Sequence, residues 1–312
     1  MPISSTPRTL VLWNPRAGRA HEAGSVRRLL ESLRNVVVHE AASNDDAAAR
    51  AAEAADEGFE RVVAAGGDGT VNAIAGSIVA SGSSVSLAIL PMGTANDFAL
   101  TLAMPDDLTR AAELCLMDST RRLDVVEVET RSSLRYFLNV AAGGNSDQVT
   151  RCLNDELKER WGALCYIRGA IDILGDLSSY HASVRFDEED QPIEIDLWNV
   201  IIANGRTNAG HLMVAPRANP EDGLLDVVLI RNGTTKDLAG LMARFIASDY
   251  LDSPQVLFRQ ARQVVINSQP PLRYSFDGEA VEQQPTLFRA LPGALEMVVG
   301  PEYTATSPGP GV

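Results

Sequence analysis

Between residues 61 and 79 an apolar run with strand character (61–65) passes into a helical pattern (71–79) through five residues, Gly66-Gly67-Asp68-Gly69-Thr70. Three glycines leave that turn almost without Cβ atoms, so its backbone can approach a ligand closely, and the helix that follows offers free N–H groups and the positive end of its dipole. Few chains can carry such a turn except at the carboxyl end of a strand in an open α/β sheet, where ligands of these folds bind. Asp68 adds chemistry. A carboxylate beside a polyphosphate is repulsive unless a cation lies between them, so the turn points to a Mg²⁺-nucleotide. A glycine-rich βα turn with a helix-capping Asp is the plainer alternative.

The surroundings extend the same pattern. Strand-like runs at 9–13, 36–39, 61–65 and 86–90 alternate with helical periodicity at 26–33, 45–56, 71–79 and 108–117. That order predicts parallel βαβ units with helices on both faces of the sheet. After about residue 124 the pattern changes to β-branched or alternating runs at 125–128, 134–140, 181–186, 193–203, 224–230, 264–266 and 272–276. Helical insertions are expected near 153–174 and 236–248, inside what reads as an antiparallel β-sandwich. The expected division is an α/β nucleotide-binding domain, 1–124, and a β-sandwich domain, 125–293. The tail beyond 304 is expected to fray.

Two more turns follow predicted strands. Asn14-Pro15-Arg16-Ala17-Gly18-Arg19 holds two arginines suited to phosphate oxygens, or is a Pro-Gly turn with surface arginines. Leu90-Pro91-Met92-Gly93-Thr94-Ala95-Asn96-Asp97-Phe98-Ala99 supplies neutral hydrogen-bonding groups at Thr94 and Asn96 and a further carboxylate at Asp97, or is a loop with its cap. Three ligand-type turns at successive strand ends argue jointly for a site. A fourth constellation, Asp277-Gly278-Glu279, ends a late strand and presents two carboxylates from one tight turn. Phosphoryl transfer needs a carboxylate to take or orient the proton of the attacking hydroxyl, although a hairpin tip has the same sequence.

Composition removes several classes. The net charge of −14 and pI near 4.7 disfavour a nucleic-acid partner and tight docking to an anionic membrane. No run is long and apolar enough for a transmembrane helix. Cys115, Cys152 and Cys165 lack a CxxC spacing and read as reduced core cysteines of a cytoplasmic protein. The only lysines, Lys158 and Lys236, follow no glycine-rich loop, which excludes a Walker A site. His21, His39, His181 and His211 have no metal-ligand spacing.

Taken in order, Asn14-Pro15…Gly18, Gly66-Gly67-Asp68-Gly69-Thr70, Gly93-Thr94-Ala95-Asn96-Asp97-Phe98-Ala99 and Asp277-Gly278-Glu279 resemble the diacylglycerol kinase catalytic family, which includes bacterial soluble lipid kinases and sphingosine and ceramide kinases. The GGDGT turn is shared with NAD kinases and phosphofructokinases, so the other three landmarks carry the narrower likeness. The resemblance implies ATP in a cleft between the two domains, with residues near 294–299 returning to the first domain. It assigns Asn14, Pro15, Arg16, Ala17, Gly18, Gly66, Gly67, Asp68, Gly69, Thr70, Asn72, Gly93, Thr94 and Asn96 to ATP. Asp68, Asp97 and Asp124 would organise Mg²⁺; Asp277 would be the general base with Glu279 beside it. In some relatives the segment equivalent to 215–226 holds a structural Mg²⁺, here through Asp222 and the Leu224 carbonyl, although a turn before a strand fits as well.

The implied acceptor is a lipid with a free hydroxyl, such as diacylglycerol. The enzyme is expected to be cytoplasmic, to touch the inner membrane face transiently as a peripheral protein, and to be capable of forming a homodimer. An NAD kinase-like enzyme and a non-catalytic nucleotide- or lipid-sensing module remain as alternatives. The chain departs from the family pattern in three places. Ser43 is the nearest substitute for a usual threonine. Residues 142–147 replace a Gly-Phe-Asp pattern, and Asn208-Ala209-Gly210-His211 replaces a glycine triplet.

Overall fold

The computed structural model describes residues 7–146 and 177–305, except 118, 209, 211, 248 and 283. The helix expected at 153–174, together with Cys152, Cys165 and His211, lies outside the described residues.

In the first lobe, β1 (Thr9–Trp13), α1 (Gly24–Glu31), β2 (Val36–Glu40), α2 (Asn44–Glu53), β3 (Arg61–Gly66), α3 (Asp68–Ser81), β4 (Ser86–Pro91), α4 (Asp97–Thr101) and α5 (Leu108–Cys115) follow one another. The strands pair in parallel in the order β2-β1-β3-β4. β1, β3 and β4 are buried along their whole length, which is why each reads as a continuous apolar run. Helix α2 packs with α3, and α1 with α5, which covers the two faces of the sheet. Asp107 caps α5 by accepting from Arg110 N, and Ser43 caps α2 by accepting from Asp46 N.

The second lobe begins on β5 (Thr120–Thr130) and continues through β6 (Leu134–Phe137), β7 (Val140–Gly144), β8 (Tyr180–Phe186), β9 (Ile193–Ala203), β10 (Thr207–Asn208), β11 (Leu212–Met213), β12 (Leu225–Arg231), α6 (Thr235–Ile246), β13 (Val256–Ala261), β14 (Gln263–Gln269), β15 (Tyr274–Phe276), β16 (Glu279–Val281) and β17 (Pro285–Val298). Its pairings among β7, β8, β9, β12, β13, β14 and β15 are antiparallel. Phe137, Tyr274, Phe276 and Phe288 stack within its core, with Phe137 and Phe276 centroids 5.4 Å apart.

β5 and β17 form a long antiparallel ribbon that belongs to both lobes. Val126 and Val128 face the second core, while Leu123 and Val125 face the first. At its far end Met297 pairs in parallel with Leu87 of β4, so 295–299 complete the first lobe's core. The ribbon's register breaks between Leu291 and Leu295.

One reading of the sequence needs correction. Residues 134–140 form two strands, broken at Leu138-Asn139, because the N–H groups of Leu138, Asn139 and Val140 all turn to the carboxylate of Asp277. A single side chain competes successfully with the ladder there.

Candidate active site

The turn between β3 and α3 and the turn after β4 press together backbone to backbone. A Cβ on Gly93 would lie 2.5 Å from Gly67 Cα, and one on Gly67 would lie 3.1 Å from Gly93 Cα. Both positions are therefore confined to glycine by a close approach. The first turn joins them: a Cβ on Gly18 would meet Thr94 Oγ1 at 2.9 Å, and Arg19 N donates to Met92 O at 2.8 Å. Asn14 Nδ2 donates to Thr70 Oγ1 at 2.8 Å, and that hydroxyl donates to Asn44 Oδ1 at 3.0 Å. Asn96, held at φ +54°, brackets Gly93 by accepting from its N–H and donating to its carbonyl. Asn72, one turn further along α3, has a buried Oδ1 without a hydrogen-bond partner.

Asp68 reaches across to the start of α4, where its carboxylate accepts from Phe98 N at 3.3 Å and is further held by the N–H groups of Asp97 and Asn96. Burial, and then the charge of Asp97, push the Asp68 carboxyl above its ordinary range. Asp97 is itself buried and accepts from Gly210 N at 3.1 Å.

The acidic turn of the second lobe comes to the same place. Phe276 and Glu279 pair across a two-residue hairpin whose Asp277 and Gly278 lie at φ +45° and +86°, the geometry that Asp-Gly favours. Glu279 reaches the first turn of α3: a Cβ on Gly69 would stand 2.5 Å from its Oε1. The Asp277 carboxylate accepts from Val140 N at 2.8 Å, Leu138 N at 3.1 Å and Asn139 N at 3.2 Å. Burial pushes its pKa up to about 7; those three N–H groups oppose the rise and the charge of Asp68 adds to it. A carboxyl near neutrality, with a second acid close enough to be felt, suits proton transfer.

Behind this cradle stands a pair of buried amides. Asn139 O accepts from Asn204 N and Gly205 N, both at 2.9 Å, and Asn204 Nδ2 donates to Leu138 O at 2.7 Å and Asp124 O at 3.0 Å. They fix the very backbone that holds Asp277. The sequence reading did not single them out, nor Asn44; Asn204 directly after a predicted strand, Asn139 within one and Asn44 directly before a predicted helix were the only visible signals.

The predicted residues are not all gathered. Asp124 plugs the break in the β5–β17 ribbon, accepting from Gly223 N at 2.6 Å and Gly293 N at 2.7 Å. Its acidic neighbours are Asp222 and Glu221, so it sits with Asp222 instead of with Asp68 and Asp97. Asp222 in turn accepts from Leu224 N at 2.9 Å. Arg16 donates to Ala42 O at 2.6 Å, and Arg19 is drawn aside by Asp106 (2.7 Å) and Glu22 (3.3 Å), an arrangement two surface carboxylates impose. Ser43 is spent as the α2 cap.

Among the described residues no three acidic, His or Cys side chains converge as a metal cage. The pair Asp68 and Asp97, both on the glycine-turn side of the cleft, is the donor set that fits a Mg²⁺ arriving on a nucleotide: that ion uses one or two carboxylates plus phosphate oxygens and keeps its waters.

Comparison with known proteins agrees with this layout. Residues 8–128 match the model of the diacylglycerol kinase catalytic domain, and residues 139–299 match that of the YegS C-terminal NAD kinase beta sandwich-like domain. A Pseudomonas aeruginosa protein named "Probable lipid kinase YegS-like" is 33% identical over 92% of either chain. A Bacillus subtilis protein named diacylglycerol kinase is 26% identical, covering 87% of this chain and 89% of its own. The crystal structure of a diacylglycerol kinase from Bacillus anthracis superposes with a TM-score of 0.72 at 19% identity, over 96% of this chain and 100% of the other, a likeness of fold.

Proposed function

This chain belongs to the diacylglycerol kinase catalytic-domain family of lipid kinases, and from that premise we propose that it transfers the γ-phosphoryl group of ATP to a hydroxyl of a lipid such as diacylglycerol. One observation supports the reading most: the Asp277-Gly278-Glu279 hairpin of one lobe sits against the first turn of α3 in the other, at the glycine-rich turn. The triphosphate lies over the N-terminus of α3 between the two glycine turns, with Asn14, Thr70, Asn72 and Thr94 as its polar neighbours. The helix end and its free N–H groups favour the anion. Mg²⁺, held near Asp68 and Asp97, would neutralise phosphate charge.

Asp277 accepts the proton of the attacking hydroxyl. Its three backbone N–H bonds keep the carboxylate fixed in direction, and a pKa of about 7 matches it to an alkyl alcohol only partly ionised at the moment of transfer. Glu279, exposed beside it, stays near the phosphate-binding helix end. Asp222 and the Leu224 carbonyl lie apart, and a structural cation there is a separate proposal that the transfer step does not need. The protein would work at the inner membrane face as a peripheral enzyme. Among the described residues, no helix is long and apolar enough to cross a membrane.

The test is phosphoryl transfer from γ-labelled ATP to a lipid panel. Asp277→Ala is expected to lower turnover by about 10²- to 10⁴-fold, the usual worth of a positioned base, with ATP affinity little changed. Near-normal turnover in that variant would refute the assignment.

A further inference from the structure

Between β9 and β10 the chain makes a short connector that touches both halves of the acidic site. At its start Asn204 N and Gly205 N, each at 2.9 Å, donate to Asn139 O, in the stretch whose N–H groups hold the Asp277 carboxylate. At its end Thr207 Oγ1 donates to Asp97 O at 2.9 Å, and Thr207 O accepts from Asn139 Nδ2 at 2.6 Å. Residues 204–207 therefore brace Asp277 in the second lobe and Asp97 in the first.

In the middle lies Arg206, a cation only 8% exposed. Burial lowers its pKa, the Tyr303 hydroxyl opposes that, and no carboxylate among the described residues pairs with it. Backbone carbonyls meet its guanidinium instead: Nε donates to Ala218 O at 3.0 Å, while Nη2 donates to Thr304 O at 2.7 Å and to Ala305 O. Its backbone is fixed as well. Arg206 N donates to Thr101 Oγ1 of α4 at 3.4 Å, and Arg206 O accepts from Val214 N at 3.0 Å and Ala215 N at 3.1 Å. A buried cation without a counter-ion is tolerated only while its hydrogen-bond partners stay in place.

Two of those partners come from a segment rooted in the other lobe. Val299 N donates to Ser119 O at 3.1 Å, and Gly300 N to Leu102 O at 2.8 Å. A Cβ on Gly300 would fall 1.7 Å from Ala103 O, an approach that only glycine allows. Tyr303 packs on the first lobe's core, and the next two residues give their carbonyls to Arg206. Residues 299–305 thus form a strap, with its root in the first lobe and its tip on the second. The planar guanidinium reaches adjacent carbonyls that a compact ammonium on a flexible stem does not hold together.

We propose that Arg206 is a positioning residue for phosphoryl transfer: gripped by the strap, it keeps residues 204–207 in one shape and so holds Asp277 and Asp97 in register across the cleft. The inference rests on the kinase reading for what those two carboxylates do. It gives Arg206 no contact with nucleotide or lipid.

The test compares the full chain with Arg206→Met, Arg206→Lys and a chain ending at Tyr303. Three quantities are read: kcat for transfer to lipid, Kd for a fluorescent ATP analogue, and the carbon-13 NMR titration of the Asp277 carboxyl. In all three variants kcat should fall about tenfold to a hundredfold, as a misplacement near one ångström does, with the Kd little changed. The Asp277 carboxyl should titrate below its parent value of about 7, because a parted cleft admits water to it and draws Asp68 away. Lysine should not rescue, since it keeps the charge without the fork. Arg206→Met in the shortened chain should cost no more than Arg206→Met alone, both acting through one contact. Where Arg206→Met prevents folding, Arg206→Lys and the shortened chain carry the test. Parent-like kcat in the shortened chain, or an Asp277 titration unmoved in the Arg206 variants, would overturn the inference. A Kd that rises in step with the loss of kcat would also overturn it, as the mark of a merely structural residue. If the full chain phosphorylates no lipid, the kinase reading falls, and the Asp277 titration still decides the bridge: lowered in the variants it stands, unmoved it does not.

Discussion

Substituting Gly93 by alanine should separate the two turns that hold the triphosphate. The added methyl would stand 2.5 Å from Gly67 Cα, 2.7 Å from Asn96 Oδ1 and 3.4 Å from Gly67 N. Two of these obstacles are backbone, which a rotamer change cannot move, and the third is the side chain that brackets the turn. Relief requires the β3–α3 and post-β4 turns to part by about an ångström, an overpacking that costs about 1–3 kcal/mol. Those turns are also the nucleotide's floor, so the same displacement should weaken ATP binding about tenfold to a hundredfold, at about 1.4 kcal/mol per decade. Gly67→Ala strains the same contact from the other side, at 3.1 Å, and should cost less. Because both act through one approach, the double variant should lose less than the sum. Titration with a fluorescent ATP analogue, alongside a thermal melt, measures both quantities. If Gly93→Ala bound nucleotide and melted like the parent protein, the idea that these turns form one compact floor would be wrong.

A matched control lies in α6, where a methyl on Gly240 meets nothing within 4 Å; Gly240→Ala should raise stability by about 0.5–1 kcal/mol, read from denaturant midpoints. Asn204→Ala strips the donor from two buried carbonyls, those of Leu138 and Asp124, and should cost about 2–4 kcal/mol. Because Leu138 N helps hold Asp277, its kcat should fall with the Kd for ATP unchanged. The pH dependence of kcat should carry an acid limb near pH 7, since Asp277 must be ionised to take a proton. Stability runs the other way: a carboxyl raised from 3.8 to about 7 contributes stability that is full below its ordinary value and lost as pH rises through about 7. Paired pH profiles of kcat and of the melting temperature check both signs.

The parallel sheet was legible because β1, β3 and β4 are buried on both faces and so cannot alternate. The glycine turns were legible because close backbone approach admits so few residues. What escaped was set by contacts distant in sequence. Nothing near residue 138 announces that Asp277 will break the strand there. Strand β13 is half exposed, so its apolar signal is weak, and most of β17 was hidden because the Pro292-Gly293 interruption divides its pattern. Asp124 had the right residue type for cation chemistry, yet the register break in the ribbon claims both its oxygens. The arginines of the first turn looked free for phosphate until Asp106, far along the chain, proved to hold Arg19.

The account stands on two acidic turns, one from each lobe, sharing a single site. Carbon-13 NMR titration of the Asp277 carboxyl tests this directly, because burial raises it and the charge of Asp68 adds to that rise. In the unmodified protein the carboxyl should titrate near pH 7, and Asp68→Asn should move it to lower pH, whereas Asp222→Asn should leave it where it was. An Asp277 titration indifferent to Asp68→Asn would mean that the hairpin and the glycine turn do not face one another.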